Sequence, residues 1–287
     1  MTDIATSETA GETATQALAP GSVVRRRPRL WLHVTLFLAT IASTTLWHSL
    51  LYSACLMGIL TAHEFGHYFA ARRYRVAVSL PYFIPMPLSM IGTMGAVIRM
   101  SRWIPNRRAL FDISAAGPLA GVVLAIPVSF VGLMLSTHQP IGGESSGIPL
   151  GEPLLFELFE RILFGAPSDG TVLLLHDVAF AGWVGLFVTG LNLLPMSQLD
   201  GGHISYAVFG KRSELVGWTV FCVLLAVCLT ISYQYALFLV LMLFMRIRHA
   251  PTLDDAVPLG RSRKVIALAL VVVFALSFVP IPISVAE

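Results

Sequence analysis

Five consecutive residues carry the first chemical signal: His63-Glu64-Phe65-Gly66-His67, an HExxH arrangement. On an α-helix, residues four apart stand on one face, so both imidazoles can reach one ion while Glu64 sits beside it. Two neutral ring nitrogens are good zinc ligands, and the carboxylate between them is placed to take the proton of an activated water. The competing reading is a set of hydrogen-bonding groups between helices, with no metal. It is disfavoured because the motif lies in an apolar run, where three ionisable side chains within five residues are costly unless they share a partner. A catalytic zinc needs a third protein ligand and an open position. Asp200, in Asn192-Leu-Leu-Pro-Met-Ser-Gln-Leu-Asp200-Gly-Gly-His203, is the other acid close to the end of an apolar run on the same side, and is the expected third ligand. His203 could compete for that place; a supporting or surface role is the expectation.

These residues need elements to hold them, and the composition says which kind. The chain has 287 residues, 56% hydrophobic and 12% charged, with a mean hydropathy of +0.77. A soluble globule has roughly a quarter of its residues charged. That balance excludes an ordinary soluble domain, a disordered chain, a basic nucleic-acid binder and a collagen-like rod. The expected fold is an all-α polytopic membrane protein of about seven transmembrane helices around a three-helix catalytic core. The runs lie at 30–47, 50–72, 112–135, 177–196, 214–230, 235–247 and 265–283. The apolar stretch from Leu215 to Met245 would make one helix of roughly 46 Å, so a turn near Ser232 to Tyr235 is expected to split it. With the amino terminus in the cytosol, seven spans leave all 19 Lys and Arg residues except Arg161 on the cytosolic side, as the positive-inside rule asks. The active site then faces the cytosolic end of a multi-pass protein, and a bacterial inner membrane is the expected location.

The expected division is a flexible cytosolic tail over 1–29, a first transmembrane helix over 30–49, a catalytic core over 50–203 and carboxy-terminal transmembrane helices over 204–287. The tail lacks any apolar period, and no cleavable signal is expected there. Within the core, the outward loop 136–176 carries scattered acids that read as a solvated face, and it is too short for an accessory domain. The cytosolic-side segment 79–111 is different. Pro81, Pro85 and Pro87 forbid a regular helix, while Gly92, Gly95 and the β-branched residues that follow point to a short strand or hairpin. An apolar extended segment next to membrane spans must lie in protein or along a wet cleft, because bare backbone in lipid lacks partners. Gly95, Ala96 and Val97 are the expected strand edge for an extended peptide. Cys55, Cys222 and Cys228 lack metal-ligand spacing and read as packing residues. His33, His48, His138, His176 and His249 fall at membrane edges or in loops and are expected to be solvated.

With both motifs in hand, the chain resembles the site-2 protease family of intramembrane zinc metalloproteases. The resemblance rests on HEFGH at 63–67 and NLLPMSQLDGG at 192–202, supported by Gly117-Pro-Leu-Ala-Gly121. It implies that His63, His67 and Asp200 bind Zn²⁺, that Glu64 activates water, and that Asn192 and Pro195 border the substrate. Gly117 and Gly121 read as close helix packing. The implied function is hydrolysis of a peptide bond within or near the transmembrane segment of a membrane-protein substrate, in contact with the lipid bilayer and with no nucleic-acid partner. Two rivals are a metal transporter, which would line a path with several sites, and a different HExxH membrane peptidase such as a prenyl-protein protease, which would use a downstream Glu ligand. Oligomeric state is not readable from these residues.

Overall fold

The computed structural model describes residues 29–140, 150–165, 171–196, 198–230, 236–244 and 249–279. The expected tail over 1–29, apart from Arg29, and the turn near Ser232 to Tyr235 lie outside the described residues. Helices occupy all seven predicted positions: α1 (Leu30–Trp47), α2 (Leu50–Arg73), α3 (Arg107–Met134), α5 (Asp177–Asn192), α7 (Ser213–Thr230), α8 (Ala236–Phe244) and α9 (Arg261–Ser277). Two further helices, α4 (Leu154–Phe164) and α6 (Asp200–Phe209), lie where the sequence reading expects loops.

Not all seven reach the length and hydropathy of a span by themselves. Among the described residues, three stretches are long and apolar enough to cross a membrane by length and composition: Leu30–Trp47, Arg107–Met134 and Asp200–Thr230. The last joins α6 to α7 through a 3-10 turn at Gly210–Arg212. Two of the shortfalls, α2 and α5, trace to the site itself. His63, Glu64 and His67, followed by Arg72 and Arg73, lower the hydropathy of α2. α5 is apolar but has 16 residues, about 24 Å against a hydrocarbon core of about 30 Å. It stops at Asn192 because a residue preceding a proline, here Pro195, is pushed out of helical geometry.

α2, α3 and α5 pack on one another as the central layer. Tyr52 of α2 stacks on Phe180 of α5 at 5.6 Å between ring centroids, and Phe180 stacks in turn on Trp183 at 5.9 Å. α3 and α5 approach closely where Ser129 and Gly132 face Gly182 and Ala179. α3 begins five residues earlier than predicted because the Asn106 side chain caps it, accepting from the Ala109 N–H at 3.0 Å.

The proline-rich segment forms an antiparallel hairpin, β1 (Tyr82–Pro85) with β2 (Thr93–Val97), whose register slips between Phe83 and Pro85. A proline lacks a ladder donor, so it is tolerated at such an irregularity. The hairpin does not stay at one end of the helices, as a cytosolic loop would. It lies along α1, with the Pro81 carbonyl 2.9 Å from His33 Nδ1 at one end. At the other end Trp47 Nε1 donates to the Pro87 carbonyl at 2.6 Å, and Tyr52 OH to that of Ile91 at 2.9 Å. From His33 to Trp47 is about 21 Å of helix, so this loop re-enters to the far end of α1. Its Pro81, Pro87, Ile91 and Gly92 carbonyls are paired by side chains of α1 and α2, which meets part of the hydrogen-bond demand of irregular backbone.

The outward segment also has structure. β3 (Thr137–Pro140) pairs antiparallel with β4 (Thr171–Leu174), and α4 lies between them in the chain. The carboxy-terminal segment returns to the core, where Arg263 of α9 makes a bidentate pair with Asp112 of α3, both bonds at 2.7 Å, and Tyr74 OH donates to the same carboxylate.

Candidate metal centre

α2 starts at Ser49, whose hydroxyl accepts from the Tyr52 N–H at 3.2 Å, and it ends on Arg72 and Arg73, cations at the end of the helix where they are favoured. The helical period then puts His63 and His67 on one face, both buried with Glu64. That face meets α3 running the other way, and three α3 residues at four-residue spacing receive it. The Ile113 carbonyl lies 2.8 Å from His67 Nδ1. A carbonyl only accepts, so His67 Nδ1 carries the proton and Nε2 keeps its lone pair. Gly117 gives the ring its space, since a Cβ there would lie 2.0 Å from His67 Nε2. Gly121 does so less tightly for His63, at 3.2 Å from Nδ1.

Asp200 arrives from the other side. After α5 ends, the chain turns through Pro195 and α6 starts on Asp200 itself. The reversal needs Gly201, where a Cβ would fall 1.9 Å from the Leu193 carbonyl oxygen. Asp200 Oδ2 then lies 3.3 Å from His63 Nε2 and 3.2 Å from His67 Nε2, and the two Nε2 atoms are 3.2 Å apart. Among the described residues this is the one group of three or more His, Cys, Asp or Glu side chains with converging ligand atoms. Bonds of about 2.1 Å to a tetrahedral zinc imply ligand separations of about 3.4 Å. The observed triangle has that size, and its chemistry, two imidazole nitrogens and a carboxylate oxygen, suits zinc.

The other expected site residues divide. Asn192, the last residue of α5, has Nδ2 3.3 Å from His63 Nε2, so it borders the cluster. Pro195 lies in the turn between α5 and α6. Gly95, Ala96 and Val97 lie on β2, which packs against α1 and α2; among the described residues no hydrogen bond joins them to the histidines. His203 does not join the triangle: its Nδ1 lies 2.6 Å from His249 Nε2.

The expectation that the remaining histidines are solvated fails for four of them, among them His176, which is half-buried and caps α5 by accepting from the Val178 N–H at 3.2 Å. His33 is buried against Pro81, and His48 is half-buried between Asp177 and the Met90 carbonyl. His249 is half-buried against Tyr206. The role of Ile113 was not read from the sequence, although its spacing from Gly117 and Gly121 matches that of His63 and His67 and could have found it. His249 and Asp255, which meet α6 from a distant loop, left no local signal.

A helical membrane protein holding such a triangle next to a glutamate has the make-up of a metallohydrolase, and known proteins agree. The family model described as Peptidase family M50 matches residues 51–231, and the chain belongs to that family, the one to which its motifs point. Zinc is the metal of this family. The chain is 32% identical over 236 residues to a protein of Arabidopsis thaliana described as probable zinc metalloprotease EGY1, chloroplastic, covering 80% of this chain and 43% of that one. It is 31% identical over 238 residues to the protein of the same description from Oryza sativa subsp. japonica, covering 80% and 40%. Over 156 residues it is 31% identical to probable zinc metalloprotease EGY2, chloroplastic, of Arabidopsis thaliana, covering 54% and 28%. The chain therefore spans less than half the length of these relatives. They are described as chloroplastic, which conflicts with the bacterial inner membrane expected from the sequence; a membrane protein is what stands.

Proposed function

We propose that this chain is a membrane-embedded zinc metalloendopeptidase that hydrolyses a peptide bond within or near the transmembrane segment of a membrane-protein substrate. The observation that carries the reading is the triangle of His63, His67 and Asp200, whose separations of 3.2 to 3.3 Å suit one tetrahedral ion. Zinc held by these three residues supplies the Lewis acidity that polarises a peptide carbonyl and makes water nucleophilic at neutral pH. Glu64, one residue after His63 and buried at the same depth, takes the proton of the attacking water on its carboxylate and delivers it to the departing amine nitrogen. The Ile113 carbonyl holds the His67 tautomer while this happens. Asn192, an amide donor at the rim, and the freed carbonyls around Pro195 border the substrate backbone.

A helical peptide bond is shielded by its own hydrogen-bond ladder, so the substrate must be locally extended to be cut. β2 pairs with β1 on one edge, and Gly95, Ala96 and Val97 on it are the proposed place for an extended substrate to add as a strand. In this proposal the amino terminus is cytosolic and the catalytic centre lies toward the basic, cytosolic end of α2.

The Glu64→Gln variant tests the reading. It is expected to hold zinc as the parent does and to lose cleavage by at least ~100-fold, the lower range for a general base. A transporter has no use for that base, so undiminished turnover of a membrane-protein substrate by Glu64→Gln would sink the proposal.

A further inference from the structure

α6 is a ten-residue helix whose first turn holds Gly201 and Gly202 next to Asp200. So short a helix has little stability of its own, and glycines are poor helix formers, so its rotation must be set by what grips it. At its last turn α3 holds it, where Arg107 donates to the Ala207 and Val208 carbonyls, both at 2.9 Å, and nearer Asp200 the grip comes from the loop after α8. His249 Nε2 lies 2.6 Å from His203 Nδ1, one turn beyond Asp200. The same imidazole stacks on Tyr206, one turn further, at 4.4 Å and 20°. Tyr206 OH donates to Asp255 Oδ2 at 2.6 Å, and Thr252 holds the other oxygen of that carboxylate at 2.6 Å. Proton accounting makes the chain directional. His249 Nδ1 faces the Ala250 carbonyl at 2.5 Å and must donate there, so Nε2 accepts and His203 Nδ1 donates to it. The loop is itself tied to the segment entering α3, with the Leu253 N–H donating to the Ile104 carbonyl at 3.0 Å and the Asp254 N–H to that of Pro105 at 3.1 Å.

We infer that this loop is a clamp that fixes the rotation of α6 and so aims the Asp200 carboxylate at the histidine pair, with His249 as a positioning residue. The inference rests on the reading of Asp200 as a metal ligand. It adds that the metal's third ligand depends on a loop some fifty residues downstream, which packs against the segment that enters α3. A small rotation of α6 would swing Asp200 out of a triangle only 3.2 to 3.3 Å on a side. Partners that orient ligands are each worth roughly 10–100-fold in metal affinity.

The test measures zinc affinity by chelator competition, and the visible spectrum of the Co²⁺-loaded protein, for the parent and for His249→Phe, His249→Gln and Asp200→Ala. Phe keeps a ring over Tyr206 but cannot accept from His203, whereas the Gln carbonyl can. His249→Phe is expected to weaken zinc binding about ten-fold and to alter the cobalt spectrum; His249→Gln is expected to restore both. Native affinity and spectrum in His249→Phe, with zinc lost from Asp200→Ala, would overturn the clamp and leave the zinc reading intact. Full zinc retention in Asp200→Ala would overturn both. Should His249→Phe fail to fold, Tyr206→Phe removes the hydroxyl by which α6 itself reaches Asp255 and is expected to move affinity and spectrum in the same direction; no movement there would equally overturn the clamp.

Discussion

The proposed zinc ligands can act only if the rings that carry them have room, and that room is supplied by an absent side chain. A Cβ at residue 117 would sit 2.0 Å from His67 Nε2, the atom proposed to bind the metal, whereas one at 121 would sit 3.2 Å from His63 Nδ1, a position the ring can adjust around. Gly117→Ala is therefore expected to lower zinc affinity at least ~10-fold, and Gly121→Ala only a few-fold, as read by metal content after dialysis against a chelator. Equal losses from the two would show that both glycines serve general helix packing. His63, Glu64, His67 and Asp200 were legible because one helical turn brings i and i+4 together, and because a carboxylate in an apolar sequence needs a reason. The pocket opposite was harder to read. Gly117 and Gly121 look like a helix-packing pair, and nothing local distinguishes a glycine that admits a neighbouring helix from one that admits an imidazole.

At the scale of elements, β2 and the 249–260 loop make opposite demands on the chain. If β2 receives an extended substrate, proline at Ala96 or Val97 removes a donor from its edge and is expected to cut cleavage several-fold while zinc content stays at the parent level. Normal cleavage by both variants would remove strand addition from the account. For the loop the relevant variable is pH. Partial burial pushes the Asp255 carboxyl up, but hydrogen bonds from Thr252 and Tyr206 more than offset this, so it titrates below the usual carboxylate range. A depressed folded value means that the stabilisation is complete above the unfolded value of about 3.9 and is lost as pH falls from there through the folded one. A spin label at Leu253→Cys in a cysteine-free background is expected to stay immobile from about pH 8 to 5 and to gain mobility only below about pH 4. Asp255→Asn is expected to abolish that acid step. The hairpin was legible from its prolines and glycines, but α6 was not, because Asp-Gly-Gly at its start reads as a turn. α4 was hidden differently: its acids, Glu157 and Glu160, read as a solvated face, although Leu155, Phe156 and Phe159 beside them pack against the core.

For the whole molecule, the basic bias and the helix count need to be held apart. Seven helices stand where apolar runs predicted them, yet among the described residues three stretches are long and apolar enough to span by themselves; α2 falls short because the site residues make it polar, and α5 because Pro195 ends it early. The re-entrant hairpin belongs to the same lesson. Apolar composition showed that it sits in protein, but its depth depends on His33, Trp47 and Tyr52, each distant from it in the chain. The expected topology has a direct readout. Single cysteines at Leu150 and Ala256, in a cysteine-free background, are expected to react with an impermeant reagent from opposite faces of the membrane, with 150 on the non-cytosolic side. Reaction of both from one face would contradict the arrangement that puts the catalytic centre near the cytosolic end.

X-ray absorption at the zinc edge, on purified protein and on Asp200→Ala, tests the central claim most directly. The account predicts about one zinc per chain in the parent, bound by two imidazole nitrogens and oxygen at about 2.0–2.2 Å with no sulfur. It also predicts that zinc is lost, or its oxygen shell altered, in the variant. A parent protein that holds no zinc, or an Asp200→Ala protein whose zinc shell matches the parent's, would contradict it.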